Sequence, residues 1–148
     1  MNKSLGNKMN LWIVTELFTP DETSTAFILN EIANKLSSKY NVKVIAGPIY
    51  NPECVNDYHQ ESNIEITRVH LPKFNKNKVS LRIIKFITLS LKLVWKLCKK
   101  LSEGDKVLIV TNPAPLIVLT ALLRRIKKFE LVVLVHDVFP ENTIPANI

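Results

Sequence analysis

The sequence predicts a Rossmann-like α/β domain with a mostly parallel sheet flanked by helices. Short apolar segments alternate with helical segments along the chain, which is typical of crossover units around a parallel sheet. Two of these segments, DKVLIV and LVVLV, are apolar over most of their length, as strands buried on both faces are. The chain has 148 residues, the size of one domain, and we assign residues 1–9 to a tail and 10–148 to the domain.

The first half of the chain is predicted to form strand, helix, strand and strand. An apolar run from Asn10 is interrupted at residues 19–23 by turn and cap residues. A stripe with helical spacing then predicts a helix of about 16 residues that ends near Asn41. Residues 42–47 are predicted to form a second short strand, and the alternating segment 64–71 a half-exposed or edge strand. The helical stripe consists of Leu29, Ile32, Ala33, Leu36 and Tyr40.

The second half is predicted to contain a long helix at residues 81–101, a strand at 105–110, a helix at 115–128 and a strand at 131–135. Pro113 and Pro115 suit the first turn of the shorter helix, where a missing N–H costs little. The sequence contains neither a repeat nor a low-complexity segment.

Basic residues are concentrated in one segment. Residues 66–102 contain ten Lys and Arg and no acidic residue, although the net charge of the whole chain is only +7. One localised basic patch favours an anionic surface or partner and argues against nucleic-acid binding. The long helix also has a wide apolar side, so we predict that it contacts an anionic membrane. The alternative is a helix that covers the sheet with solvated lysines. The predicted membrane-binding residues are Arg82, Lys85, Lys92, Trp95, Lys96 and Lys99.

Several classes of protein are excluded by missing motifs. The longest charge-free stretch contains Pro113 and Pro115, so no transmembrane helix is predicted. The two cysteines lack the spacing of a disulfide scaffold or a zinc site, and we predict no metal. Neither Gly-x-Gly-x-x-Gly nor a P-loop occurs, which argues against NAD-dependent oxidoreductases and P-loop NTPases. We therefore expect a cytoplasmic protein with reduced thiols.

Polar residues follow three predicted strands, at the edge of a parallel sheet where ligands bind. Thr23, Ser24 and Thr25 present hydroxyls that suit an anion, although the alternative that we favour is that one of them caps the helix. His136 and Asp137 suit an acid/base or hydrogen-bonding pair, although the dipeptide alone is equally consistent with a structural role. Glu141 suits a substrate ligand or a helix start. The candidate substrate-binding residues are Glu16, Thr19, Asp21, Thr23, Ser24, Asn112 and Glu141, and the candidate catalytic residues are His136 and Asp137.

Taken together, the segments resemble the N-terminal domain of glycosyltransferase family 4, the retaining GT-B enzymes, and most closely its polysaccharide-assembly branch. They occur in the family's order over residues 10–141, and TNPAPL followed by HDVFPE is the most specific part. The matching segments are LWIVTELFTPD, FILNEIANKL, VKVIAGPIYNP, IEITRVHLP, LRIIKF with LKL, DKVLIVTNPAPLIVLTALL and LVVLVHDVFPE.

This resemblance implies a domain that binds a sugar or lipid-linked sugar acceptor at the inner face of the cell membrane. The nucleotide-sugar donor is then a substrate, bound mostly by a second Rossmann-like domain, and neither a cofactor nor a metal is expected. Because one half of a cleft cannot exclude water from the reaction, we expect the chain alone to be inactive. It would be a truncated product or one subunit of a split enzyme. The alternatives are a non-catalytic membrane-docking module and a Rossmann-like domain with another chemistry, such as a nucleotide-sugar epimerase.

Overall fold

In the computed structural model, which describes residues 8–50, 64–72 and 79–135, strands and helices alternate in the predicted order. The elements are β1 (Asn10–Thr15), α1 (Ser24–Ser37), β2 (Asn41–Ala46), β3 (Glu65–Arg68), α2 (Val79–Lys100), β4 (Lys106–Val110), α3 (Ala114–Ile126) and β5 (Glu130–Leu134).

The strands form one five-stranded sheet in the order β3-β2-β1-β4-β5, and every pair is parallel. Strand β1 lies at the centre, where Val14 is in register with Ile45 of β2 and Ile109 of β4. The carboxyl ends of β1, β2 and β4 therefore lie along one edge of the sheet. This architecture confirms the predicted α/β class and the Rossmann-like arrangement. The predicted edge position of β3 is also confirmed.

Helices cover both faces of the sheet and bury two hydrophobic clusters. On one face, Leu29 and Ala33 of α1 pack with Ile13 and Val44. On the other face, α2 and α3 pack against each other and against the sheet around Trp12. The apolar stripe predicted for α1 is confirmed, because its members belong to the first cluster as buried or partly buried residues.

A buried carboxylate joins the amino-terminal side of β1 to the turn before β4. Asp105 accepts hydrogen bonds from Trp12 Nε1 at 2.9 Å, Asn10 Nδ2 at 3.1 Å and the backbone N–H of Ser102 at 3.0 Å. A buried carboxylate needs such partners to offset its loss of hydration. Asp105 thus fixes β1 beside β4 and satisfies the indole N–H of Trp12, which is only 2% exposed.

Two details differ from the prediction. Helix α1 ends at Ser37, because Asn41 already belongs to β2 and donates its backbone N–H to Met9 O at 3.0 Å. The prediction that β5 is buried on both faces is wrong for the described residues, since Val132 and Val133 are exposed. Strand β5 lies at the edge of the sheet, where α3 packs against it.

Candidate functional site

A groove with a volume of about 620 Å³ lies where β1 leads into α1. Its walls come from the loop after β1 and the first turns of α1, so it opens at the carboxyl edge of the sheet. Phe27 and Ile28 give it an apolar side. Four residues predicted from the sequence to bind substrate line this one groove: Thr19, Asp21, Thr23 and Ser24.

Glu16 lies just past β1 with its side chain only 7% exposed. Its Oε1 atom accepts a hydrogen bond from the Tyr50 hydroxyl at 2.6 Å and lies 3.3 Å from Lys85 Nζ. The same ammonium group lies 4.4 Å from the centre of the Tyr50 ring. The structure therefore pairs Glu16, predicted to bind substrate, with Lys85, predicted to bind the membrane.

The Tyr50 hydroxyl is held in its protonated form. Burial raises the pKa of Tyr50 well above its ordinary value, and the hydrogen bond to Glu16 and the negative charges of Glu16 and Asp21 raise it further. Tyr50 consequently remains a donor to Glu16 at any physiological pH. The Glu16 carboxylate is thus held in a fixed orientation at the carboxyl edge of the sheet by one neutral donor, Tyr50, and one cationic donor, Lys85.

Arg68, the last residue of β3, braces the loop that lines the groove. Its guanidinium donates to the carbonyls of Phe18 at 3.1 Å and Gly47 at 3.2 Å, and also to that of Thr19. Its Nη1 lies 3.8 Å from Oδ2 of Asp21. The other carboxylate oxygen of Asp21 accepts the backbone N–H of Tyr50 at 2.9 Å. Asp21 therefore binds protein groups that position the loop, as well as lining the groove.

Gly47 brings the ends of β1 and β2 close together. Its N–H donates to the carbonyls of Thr15 at 3.1 Å and Glu16 at 3.0 Å. A Cβ atom at this position would lie 2.3 Å from Glu16 O, so any other residue would force the two backbones apart. This close approach places the Tyr50 loop next to Glu16.

Thr23 caps α1. Its Oγ1 accepts the backbone N–H of Ala26 at 3.1 Å, and its extended backbone is that of an N-cap residue. The capping interpretation favoured from the sequence is confirmed for Thr23. Ser24 begins the helix beside it and lines the groove.

The remaining predicted site residues are not all in this groove. Asn112 is exposed just after β4, the strand beside β1, and is not part of the groove lining. His136, Asp137 and Glu141 lie outside the described residues, so their roles stay predictions.

The predicted membrane residues of α2 fall into two groups. Lys92 donates to His70 O at 2.7 Å and Lys96 to Arg68 O at 2.6 Å, so these side chains reach the β3 segment, as Lys85 reaches Glu16. Arg82, Trp95 and Lys99 are exposed, and Lys92 is exposed as well although it reaches His70. None of the helices in the described part of the chain is long and apolar enough to cross a membrane. Membrane contact stays a prediction.

Sequence reasoning missed Tyr50, Arg68 and Gly47 as parts of the site. Gly47 carried a signal, because a glycine directly after a predicted strand often permits a close backbone approach. Arg68 carried a weaker one, as a cation at the carboxyl end of a predicted strand. Tyr50 lies in a polar loop, and nothing in its local pattern distinguishes it.

The fold and the groove define a Rossmann-like α/β protein with a candidate binding site at the carboxyl edge of its sheet. No known protein-family profile matches the chain. The chain is 30% identical over 138 residues to a Pseudomonas aeruginosa protein described as "Probable glycosyltransferase WbjE". This match covers 93% of the chain and 34% of the relative, so the chain spans about a third of the relative's length. The similarity supports a glycosyltransferase-like function.

Proposed function

We propose that this chain is the acceptor-side domain of a retaining GT-B glycosyltransferase in surface polysaccharide assembly, such as that of capsule, O-antigen or exopolysaccharide. In this proposal a nucleotide-sugar supplies the transferred sugar, and a sugar or lipid-linked sugar accepts it at the inner face of the membrane. The observation that carries the proposal is the similarity to a probable glycosyltransferase along 93% of the chain. The family resemblance of the sequence supports the finer assignment.

The groove has the chemistry that a sugar needs. Sugar rings present hydroxyl groups to hydrogen-bonding side chains and C–H faces to apolar ones, and binding pockets combine a few placed polar groups with an apolar wall. Phe27 and Ile28 supply the wall, and Thr19 and Asn30 are polar groups beside it. In the proposal the Glu16 carboxylate, oriented by Tyr50 and Lys85, accepts hydrogen bonds from hydroxyl groups of the acceptor sugar next to this groove. His136 and Asp137 are our candidates for groups that move a proton at the reacting hydroxyl.

The proposal assigns donor binding to another part of the protein, in cis or in trans. About two thirds of the relative's length has no counterpart in these 148 residues, which leaves room for a donor domain. Sugar transfer requires a cleft that excludes water, because water would compete as acceptor. We therefore expect the 148-residue chain to bind an acceptor sugar without transferring one.

Ligand-observed NMR on the 148-residue chain tests the proposal. A panel of monosaccharide and disaccharide glycosides and a panel of nucleotide-sugars are titrated separately. At least one glycoside should bind, and Phe27→Ala in the groove should weaken its binding at least about tenfold through lost apolar contact. Ile126→Ala, an exposed apolar residue at the end of α3, is the matched control and should bind like the wild type.

Two results would contradict the proposal. Binding of nucleotide-sugars with no glycoside binding would make this the donor side. Sugar transfer by the isolated chain would show that no further domain is needed.

A second candidate, a non-catalytic membrane-docking module, is favoured by one observation. Helix α2 exposes several large apolar side chains to solvent. Absence of any sugar binding, with membrane binding retained, would support this candidate over the transferase.

A further inference from the structure

Helix α2 is apolar on two opposite sides. Leu89, Leu93 and Leu97 are fully buried against the sheet, as the inner stripe of a covering helix should be. The side facing away from the sheet is also apolar, whereas a surface helix ordinarily carries polar residues there. The exposed apolar residues on α2 are Ile83, Ile84, Ile87, Leu91 and Trp95, and we call them the outer stripe.

The spacing of the outer stripe makes it a continuous line. Ile84, Ile87, Leu91 and Trp95 follow one another at steps of three and four residues, so they lie above one another on one face. Leu93 is two residues from Leu91, which places it about 200° further round the helix, on the buried side. The line from residue 84 to residue 95 is about 17 Å long.

Positive charge flanks the outer stripe. Helix α2 contains six basic residues and no acidic one. Lys92 and Lys96 donate to backbone carbonyls, which are uncharged, so these bonds do not neutralise their charge. Lys99 is exposed and lies 3.6 Å above the Trp95 ring. An apolar line bordered by charge of one sign is complementary to an anionic lipid surface, where acyl chains meet phosphates.

We propose that the outer stripe of α2 inserts into the surface of an anionic lipid bilayer, with the helix parallel to the membrane plane. Trp95 then lies at the depth of the headgroups, where amphipathic aromatic rings are favoured, and Lys99 points to the lipid phosphates. This arrangement differs from the sequence-based prediction for Lys92 and Lys96, which are among the predicted membrane-binding residues. The face with Lys92 and Lys96 lies against the β3 segment, and the membrane-facing side is the one opposite the sheet.

This inference concerns a surface separate from the groove and stands whether or not the chain serves a glycosyltransferase. The contact of Lys85 with Glu16 places the first half of α2 beside the candidate site. A membrane-bound α2 would therefore hold the groove close to the lipid surface, within reach of an acceptor that is anchored there.

Vesicle binding of the full 148-residue chain tests the inference, and the two tryptophans make the readout specific. Trp95 is 59% exposed and Trp12 only 2% exposed, so a quencher on brominated lipids reaches Trp95 selectively. With vesicles of equal parts phosphatidylglycerol and phosphatidylcholine, we expect co-sedimentation, a blue shift of the fluorescence and quenching by brominated lipid. Phosphatidylcholine alone should bind at least about tenfold more weakly, and salt should weaken binding to the mixed vesicles.

Paired variants locate the surface. The double change Ile87→Ser and Leu91→Ser should weaken binding to the mixed vesicles at least about tenfold, because two inserted side chains are lost. Ile126→Ser, at an 82% exposed site on α3, is the matched control and should bind like the wild type. Lys99→Gln should weaken binding and reduce its salt dependence. Circular dichroism and the fluorescence of buried Trp12 verify that each variant is folded.

Three results would overturn the inference. The first is no binding of the wild type to the mixed vesicles, and the second is equal loss of binding in Ile126→Ser and in the double variant. The third is self-association of the wild type, seen by sedimentation without lipid and abolished by the double variant. That last result would assign the outer stripe to a second copy of the chain.

Discussion

The Tyr50 hydroxyl donates a 2.6 Å hydrogen bond to the Glu16 carboxylate and so joins the loop after β2 to the end of β1. Because Lys85 of α2 reaches the same oxygen atom, three separate parts of the chain meet at one buried carboxylate. Asp21, which lines the groove that we assign to a sugar, accepts the backbone N–H of Tyr50 at 2.9 Å and so connects the groove to this junction.

Tyr50 should make stability sensitive to alkaline pH. Its folded-state pKa is raised above the ordinary value of 10.0, so the folded chain holds this proton more tightly than the unfolded chain does. The resulting stabilisation is fully present below about pH 10 and is lost as the pH rises further. In urea titrations, the free energy of unfolding of the wild type should therefore fall more steeply with pH above about pH 10 than that of Tyr50→Phe. Tyr40→Phe is the control and should keep the wild-type slope, and an identical slope for Tyr50→Phe would contradict the prediction.

Removal of Lys85 should destabilise the fold more than removal of a neighbouring lysine. Lys85→Met leaves the buried Glu16 carboxylate with Tyr50 as partner, which we expect to cost about 1–3 kcal/mol of unfolding free energy. Glu16→Gln in the same chain should restore part of this loss, since no buried charge then remains. Lys92→Met, which removes a donor to a backbone carbonyl, should cost under about 1 kcal/mol. If denaturant unfolding gave the same loss of unfolding free energy for Lys85→Met and Lys92→Met, the pair of Lys85 with Glu16 would contribute no more to stability than the bond of Lys92 to a backbone carbonyl.

Two glycines should respond differently to alanine. Gly47→Ala should destabilise the chain by about 2–4 kcal/mol, because the added Cβ meets the backbone of Glu16 and cannot rotate away. Gly104 has φ +85°, and a Cβ added there would meet no atom within 4 Å, so Gly104→Ala introduces only backbone strain and should cost about 1 kcal/mol. Thermal unfolding of the two variants measures the difference. The close approach would be unimportant if Gly47→Ala were the milder change.

Removal of the Asp105 carboxylate should destabilise the fold, because several hydrogen bonds are lost with it. Asp105→Ala leaves the buried indole N–H of Trp12 without its acceptor and frees Ser102 and Asn10, so we expect a loss of about 2–4 kcal/mol. Glu103 is the control, because its pair with Lys128 is exposed on both sides and Glu103→Ala should cost under about 0.5 kcal/mol. Denaturant unfolding with Trp12 fluorescence measures both, and similar small losses would refute the prediction.

Much of the architecture could be predicted because its signals are local. Hydrophobic spacing located the strands and helices, and the alternating pattern at residues 64–71 correctly marked β3 as an edge strand. Strand β5 shows the limit of this reasoning. Its apolar composition suits burial on both faces, yet its place at the edge of the sheet leaves Val132 and Val133 exposed. An apolar composition makes a strand compatible with burial, but the elements packed beside the strand decide whether its side chains are buried.

The sequence by itself determined the order of the elements, the α/β class and the edge of the sheet that carries polar loops, because the periods of two and 3.6 residues act within each segment. Only the tertiary structure decided that Glu16 meets Lys85, which is 69 residues away along the chain. It also decided which side of α2 is buried, since that helix is apolar on opposite sides and its own pattern does not choose between them. Both outcomes depend on strand order, which sets the neighbours of each side chain.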